Sequence, residues 1–282
     1  MIDILLKVFS YIGGADEPGV TLARTLMNHT STMHSVAQHV NLSRVLNEQG
    51  LAKDISYILG ETNSLYHQGK PGLSNSFGAA LWGVDFNLYC ASQSIRRTHM
   101  HQGTNYRYAS WQPIQTNKAT IGTKAPYYGN VMVAAMLRGG EDSGHEGDNS
   151  QVQVVHLSMP HETEAAYAAY MNGNLARIAV INMQEYNYTN LEESSSHRPS
   201  ASYAFRLSDI SAKSLSVQRL MANGSDAITG ISWDGWSYNY ELEMGAPVRL
   251  ANVTIGEKVD IDSQGDVEVT VPYSSAVILS LG

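Results

Sequence analysis

A chain of 282 residues is long enough for one large domain or two ordinary ones, and 43% apolar with 16% charged residues is the composition of a folded protein. Eighteen basic against 26 acidic residues leave a net charge of −8 with no long block of either sign, which argues against a nucleic-acid partner. No run approaches the roughly 18 apolar residues of a membrane span, so no membrane partner is expected, and the single cysteine excludes an internal disulfide framework and a thiolate zinc cluster.

In chain order, Ile4 to Ile12 reads as a strand ended by Gly13-Gly14, with Pro18 suited to the first turn of a helix. Ser31 is the expected cap of a helix carrying Val36, Ala37, Val40, Val45 and Leu46 and stopping near Gly50. Ile55 to Leu59 is the next strand. A polar loop from Thr62 to Ser76 leads into a helix whose apolar face is Phe77, Ala80, Leu81, Val84, Leu88 and Ala91, and Cys90 in that run is expected to be a small buried hydrophobe. Ile95 to His101 is a third strand, and a long loop to Pro126 precedes a helix over Tyr127 to Leu137. This alternation is the grammar of parallel βα units.

Past Gly139-Gly140 the pattern changes to short strands: Val152 to Leu157, Ala165 to Met171, Leu175 to Met183, Ala201 to Leu207, Leu215 to Met221, Val248 to Ile255, Val267 to Val271 and Ala276 to Leu281. Asn172-Gly173 between two of them is a strong hairpin signal. The second part therefore reads as an antiparallel β-sandwich, with the hydrophilic stretch 139–150 as the link.

The chemistry centres on Glu61, a carboxylate directly after the run Ile55-Ser56-Tyr57-Ile58-Leu59. That position predicts the C-terminal end of a parallel strand, the rim where barrel enzymes carry their catalytic groups. Tyr66, Gly69, Pro71 and Gly72 follow in the same loop, and the next strand opens into His101-Gln102-Gly103-Thr104-Asn105-Tyr106-Arg107-Tyr108. Two neighbouring loops rich in flat rings and hydrogen-bonding groups suit a sugar, whose faces are apolar and whose edge is hydroxylated.

Leu59-Gly60-Glu61-Thr62-Asn63-Ser64-Leu65-Tyr66, then Gly72 to Trp82, Met100-His101-Gln102-Gly103-Thr104, Ala125-Pro126-Tyr127-Tyr128-Gly129-Asn130 and Val180-Ile181-Asn182-Met183 resemble glycoside hydrolase family 79. That family includes microbial and fungal β-glucuronidases and the heparanases. The resemblance covers the chain from about Tyr11. It implies an α/β plus all-β fold, in which residues 1–139 are the last three βα units of a (β/α)8 barrel and residues 140–282 are a C-terminal antiparallel β-sandwich. It also implies a retaining exo-β-glucuronidase with Glu61 as nucleophile, a glucuronide carbohydrate as substrate, no cofactor and a secreted setting. Tyr66, Gly103 and Tyr106 match positions that recognise the uronic carboxylate. The acid/base carboxyl belongs on an earlier barrel strand and is absent from this chain, so the chain alone is expected to be silent and to self-associate through open barrel edges. His67-Gln68 before Gly69, where heparanase has a run of glycines, favours the exo-acting side. The alternative is a non-catalytic carbohydrate-binding or scaffolding remnant.

Other patterns carry less. His99 and His101 share a strand face without a third metal ligand. Glu141, Asp142, Glu146 and Asp148 lack the spacing of an EF-hand and read as a solvated acidic loop. No Gly-X-Ser-X-Gly elbow is present. Met1 to Phe9 lacks the basic start and cleavage site of a secretion leader, whereas sequons at Asn28, Asn41, Asn187, Asn223 and Asn252 suit a secreted glycoprotein.

Overall fold

A computed structural model describes residues 9–51, 55–139, 152–190, 197–208 and 210–281. Its first part has three parallel strands, β1 (Phe9–Gly14), β2 (Ile58–Tyr66) and β3 (Arg97–Met100), in the order β1-β2-β3. Helix α1 (His29–Glu48) links the first two and α2 (Phe77–Ser92) the second and third. A small hairpin, β4 (Trp111–Gln112) with β5 (Gly122–Thr123), precedes α3 (Ala125–Leu137). Residues 4–8 of the expected first strand lie outside the described residues, and Gly13 and Gly14 belong to β1 rather than ending it. No helix starts at Pro18; a single wide helical turn forms at Leu22–Leu26.

Two helix boundaries show how local chemistry sets an element. The cap of α1 is Asn28, not Ser31: its Oδ1 accepts the Ser31 N–H at 2.9 Å. The Ser31 hydroxyl instead donates to Arg24 O at 3.1 Å. Helix α3 begins two residues earlier than expected because Pro126, in its first turn, needs no backbone N–H partner there.

The second part is built on a large antiparallel sheet. Its strands are β6 (Val152–Leu157), β7 (Glu164–Met171), β8 (Asn174–Asn182), β10 (Ser214–Met221), β11 (Ser232–Trp233), β12 (Trp236–Ser237), β13 (Val248–Arg249), β14 (Glu257–Asp260) and β16 (Ser275–Ser280). The path runs β13-β12-β11-β10-β16-β8-β7-β6, with β14 also on β10. A second layer pairs β9 (Ser200–Arg206) with β15 (Asp266–Pro272). The turn between β7 and β8 has Asn172 at φ 50° and Gly173 at φ 83°, the mirror-image backbone that the Asn-Gly pair suits. The expected strand Val248 to Ile255 stops at Arg249, and β11, β12 and β14 are additions. The acidic stretch 141–148 is outside the described residues.

The large sheet is buried on both faces, and the period of two assigns each side chain. Ala179, Ile181, Ala276 and Ile278 belong to a core shared with α2 and α3. Ile178, Val180, Val277 and Leu279 point the other way, onto β9 and β15. One hydrophobic cluster therefore runs from Leu59 and Phe77 through Met132 to Leu220 and Trp233, joining the two parts. Cys90 lies in it fully buried, and burial holds its thiol well above the usual range.

Within this joint sits an acidic residue. Asp85 of α2 has no solvent exposure; His29 Nδ1 lies 2.9 Å from its Oδ1 and the Tyr167 hydroxyl donates to the same oxygen at 2.6 Å. His29 comes from α1 and Tyr167 from β7, so the cluster ties three elements. Removing one partner of such a group strands the others without solvent, which costs about 3–5 kcal/mol. Asp85→Ala is thus expected to lower urea-unfolding stability by about that amount, and a loss below about 1 kcal/mol would show that water replaces the carboxylate.

Helices α2 and α3 cross where Gly129 faces Ala80: a Cβ on Gly129 would sit 2.5 Å from the Ala80 carbonyl oxygen. Gly83, in the interior of α2, has nothing within 4 Å of its would-be Cβ. Gly129→Ala should destabilise by about 1–3 kcal/mol through overpacking, whereas Gly83→Ala should stabilise by about 0.5–1 kcal/mol. Thermal unfolding of the two variants checks the contrast.

Candidate active site on the parallel sheet

Strand β2 continues to Tyr66, so Glu61 is its fourth residue and not a residue beyond its end. The expected rim position is corrected to one within the strand. The register of β2 with β3 shifts between Leu59 and Thr62, and Glu61 sits in that irregularity, opposite Phe9 of β1. Bulges of this kind re-aim a side chain out of the regular pleat. The Glu61 side chain is 36% exposed.

Tyr11, two residues along β1 from the register partner of Glu61, donates its hydroxyl proton to Glu61 Oε1 at 2.9 Å. His101, directly after β3, places Nδ1 3.3 Å from the same oxygen. A proton on that nitrogen suits an ionised carboxylate, which only accepts. The Tyr108 hydroxyl lies 3.2 Å from His101 Nδ1. The loop carrying His101 is fixed by backbone: His101 N–H donates to Thr62 O at 2.9 Å, and Asn63 Nδ2 donates to His101 O at 3.0 Å. Burial, with the Tyr108 and Glu61 contacts, raises the Tyr11 phenol well above its ordinary value, and burial raises Tyr108 as well. Both phenols therefore stay protonated at neutral pH and can donate.

The other expected residues converge here. The Tyr106 ring stands edge-on to His101 at 5.2 Å and to Tyr108 at 5.5 Å. Gly103 lies under that ring, and a Cβ there would fall inside it, so only glycine fits. Tyr66 ends β2 and stands edge-on to Tyr11 at 6.5 Å, with its hydroxyl donating to Glu17. The Arg107 N–H donates to Gln68 O at 2.9 Å, which sews the two loops together. Tyr11 and Glu17 carried no motif; only the β1–β2 register reveals them.

Among the described residues, no group of three His, Cys, Asp or Glu side chains is arranged to hold a metal ion. A groove on the sandwich, lined by His161, Glu164 and Tyr203 among others, shares no residue with the Glu61 cluster. The Glu164 carboxylate there is already engaged, accepting from Tyr203 Oη at 3.0 Å and Gln184 Nε2 at 3.3 Å.

Comparison with known proteins decides the family. Residues 166–278 match the glycosyl hydrolase family 79 C-terminal beta domain. A β-glucuronidase of Aspergillus niger is 64% identical over 278 residues, covering 96% of this chain and 50% of that protein. The chain belongs to glycoside hydrolase family 79. A β-glucuronidase of Neurospora crassa is 49% identical over 302 residues, covering 98% of this family 79 chain and 54% of the relative. The chain thus spans about half the length of the curated relatives it matches. Among solved structures, a 4-O-α-L-rhamnosyl-β-D-glucuronidase from Fusarium oxysporum, determined as a Rha-GlcA complex, superposes with TM-score 0.72 at 22% identity, over 96% of this chain and 52% of that one. An α-L-arabinofuranosidase from Thermotoga maritima superposes with TM-score 0.58 at 12% identity, over 99% and 53% respectively. At those identities the superpositions speak for the fold alone.

The shielding of Tyr11 is measurable. Absorbance titration of the tyrosines up to roughly pH 11 should give the same amplitude for wild type and Tyr11→Phe, because that phenol does not ionise in the range. A variant that lacks one phenol's worth of amplitude near pH 10 would show Tyr11 to be an ordinary solvent-facing tyrosine.

Proposed function

We propose that this chain carries the nucleophile side of a retaining exo-β-glucuronidase, with Glu61 attacking the anomeric carbon of a β-linked glucuronic acid. The observation that carries the reading is Glu61 itself: a part-exposed carboxylate re-aimed by a strand irregularity and oriented by Tyr11 and His101, whose rings meet those of Tyr66, Tyr106 and Tyr108. The names of the relatives at 64% and 49% identity support the glucuronide substrate. In the same reading β1 to β3 with α1 to α3 are the last units of a (β/α)8 barrel, the division near residues 139 and 140 separates barrel from sandwich, and the setting is extracellular.

In the reaction Glu61 forms a bond to C1 as the bond from C1 to the aglycone oxygen breaks, giving a glycosyl ester that water then hydrolyses. The leaving oxygen needs a proton from a second carboxyl, at roughly 5 Å from the first in retaining enzymes. The groups bonded to Glu61 among the described residues are Tyr11 and His101, neither of them a carboxyl. Those two contacts hold the nucleophile in place. Tyr106 over Gly103 and the Tyr66 ring offer faces and edges to the sugar. A barrel lacking that acid/base carboxyl turns over little, since positioned proton transfer contributes about 10²- to 10⁴-fold. The outer edges of β1 and β3 then invite self-association.

The decisive variant is Glu61→Gln in a chain carrying the complete barrel. The amide keeps the shape and is a far poorer nucleophile, so hydrolysis of an aryl β-glucuronide should fall about a thousandfold or more while glucuronide binding persists. Substantial remaining turnover would assign the attack to another residue.

A further inference from the structure

The Tyr66 hydroxyl is already in use. A phenol has one proton to donate, and Tyr66 donates it to the exposed carboxylate of Glu17, whose other oxygen accepts the Gly14 N–H at 2.9 Å. The arrangement is built rather than casual. Tyr66 pairs with Gly14 across β1 and β2, and a Cβ on Gly14 would come within 2.5 Å of the Tyr66 hydroxyl and 2.8 Å of Glu17 Cδ, so the two side chains meet only because glycine is there. The loop that follows is held at a cost: His67 (φ 61°) and Gln68 (φ 69°) are consecutive non-glycine residues in the left-handed region. Asp16 faces the ring of His67, with Oδ2 3.4 Å from Nδ1, and the Arg107 N–H holds Gln68 O. One carboxylate thus occupies a hydroxyl and a backbone N–H at the rim of the candidate sugar site, the kind of donor pair that a sugar carboxylate would use.

We infer that Glu17 is a built-in competitor for the substrate's carboxylate: it holds the Tyr66 hydroxyl and the Gly14 N–H until a uronate displaces it. The inference rests on the reading of Tyr66 as a sugar-facing residue and adds a specificity determinant to it. A neutral sugar has no group to replace the Glu17 carboxylate and gains nothing from its displacement, whereas a uronate exchanges one carboxylate for another. The hydrogen bond from Tyr66, with that from Gly14, holds Glu17 below the usual carboxylate range, and the same contact raises the Tyr66 phenol. Glu17 therefore stays charged and competing at neutral pH.

The test is calorimetric titration of the full chain with methyl β-D-glucuronide and, separately, methyl β-D-glucoside. Glu17→Ala removes the competitor, and Glu17→Gln keeps the shape but not the charge. Both variants are expected to bind the glucuronide more tightly, Glu17→Ala by about fivefold, the size of one hydrogen bond's net contribution, with glucoside binding unchanged. The gain should vanish in Glu17→Ala/Tyr66→Phe, because the freed hydroxyl carries it. Glucuronide binding that the single variants leave unchanged or weaken overturns the inference alone, and weakened binding of both sugars makes Glu17 a support for Tyr66 instead. Failure of the wild type and every variant to bind the glucuronide overturns the site reading and the inference together.

Discussion

The carboxylate of Asp85 has to be satisfied without water, and much of the architecture follows from how that is done. Burying an acidic side chain is costly unless hydrogen-bonding partners are buried with it. Here His29 at the start of α1 and Tyr167 in the middle of β7 both hold Oδ1, while Oδ2 has no hydrogen-bond partner among the described residues, so the Oδ1 contacts fix α2 against the preceding βα unit and one strand of the large sheet. The ring of His156 on β6 lies 4.6 Å from that of His29, and burial holds His156 below the usual imidazole range, so His156 adds no positive charge to the cluster at neutral pH. Because α2 also packs on β2 and β3, the position of the strand that carries Glu61 is linked to the sandwich.

The site itself depends on backbone more than on side-chain bulk. The register shift beside Glu61 turns its carboxylate towards Tyr11 and His101, and glycine at positions 14 and 103 lets tyrosine rings lie where any Cβ would collide. Pairing of Asn63 and Thr62 with His101 brings the loop after β3 back over β2. The result is a carboxylate with two fixed donors beside a run of rings from Tyr66 through Tyr11 and Tyr108 to Tyr106. Such a surface has flat apolar faces and polar edges together, which is what a pyranose presents in return.

Membership of family 79 and a span of about half its relatives' length fit this organisation. The matched domain, residues 166–278, starts within β7 and ends within β16, so it covers most of the sandwich but not the strands bearing Glu61. The link between the two parts is the common core, in which Leu59 and Phe77 on one side and Ile181 and Trp233 on the other belong to a single cluster. A sandwich packed this way is a support for the strands bearing Glu61 and Tyr11 rather than a separate module on a tether.

Much was legible in the residue order alone, because it depended on local chemistry. The period of α2, the Asn172-Gly173 turn, the alternation in β8 and β16 and the two tyrosine-rich loops around Glu61 all follow from side-chain pattern and turn preference over a few residues. The sequence also carried the family, through motifs at Glu61, His101 and Tyr127. Long-range placement had to come from the fold. Nothing near Tyr11 or Glu17 in the chain says that they meet Glu61 and Tyr66 some 50 residues later; the parallel register of β1 on β2 decides it. Likewise Asn28 displaced Ser31 as the cap of α1, and β2 ran on through Tyr66 instead of stopping at Leu59, because a neighbouring strand supplied hydrogen-bond partners for a polar run that would otherwise be loop. Sequence preference is set by neighbours along the chain, whereas register, bulges and buried charges are settled by neighbours across it.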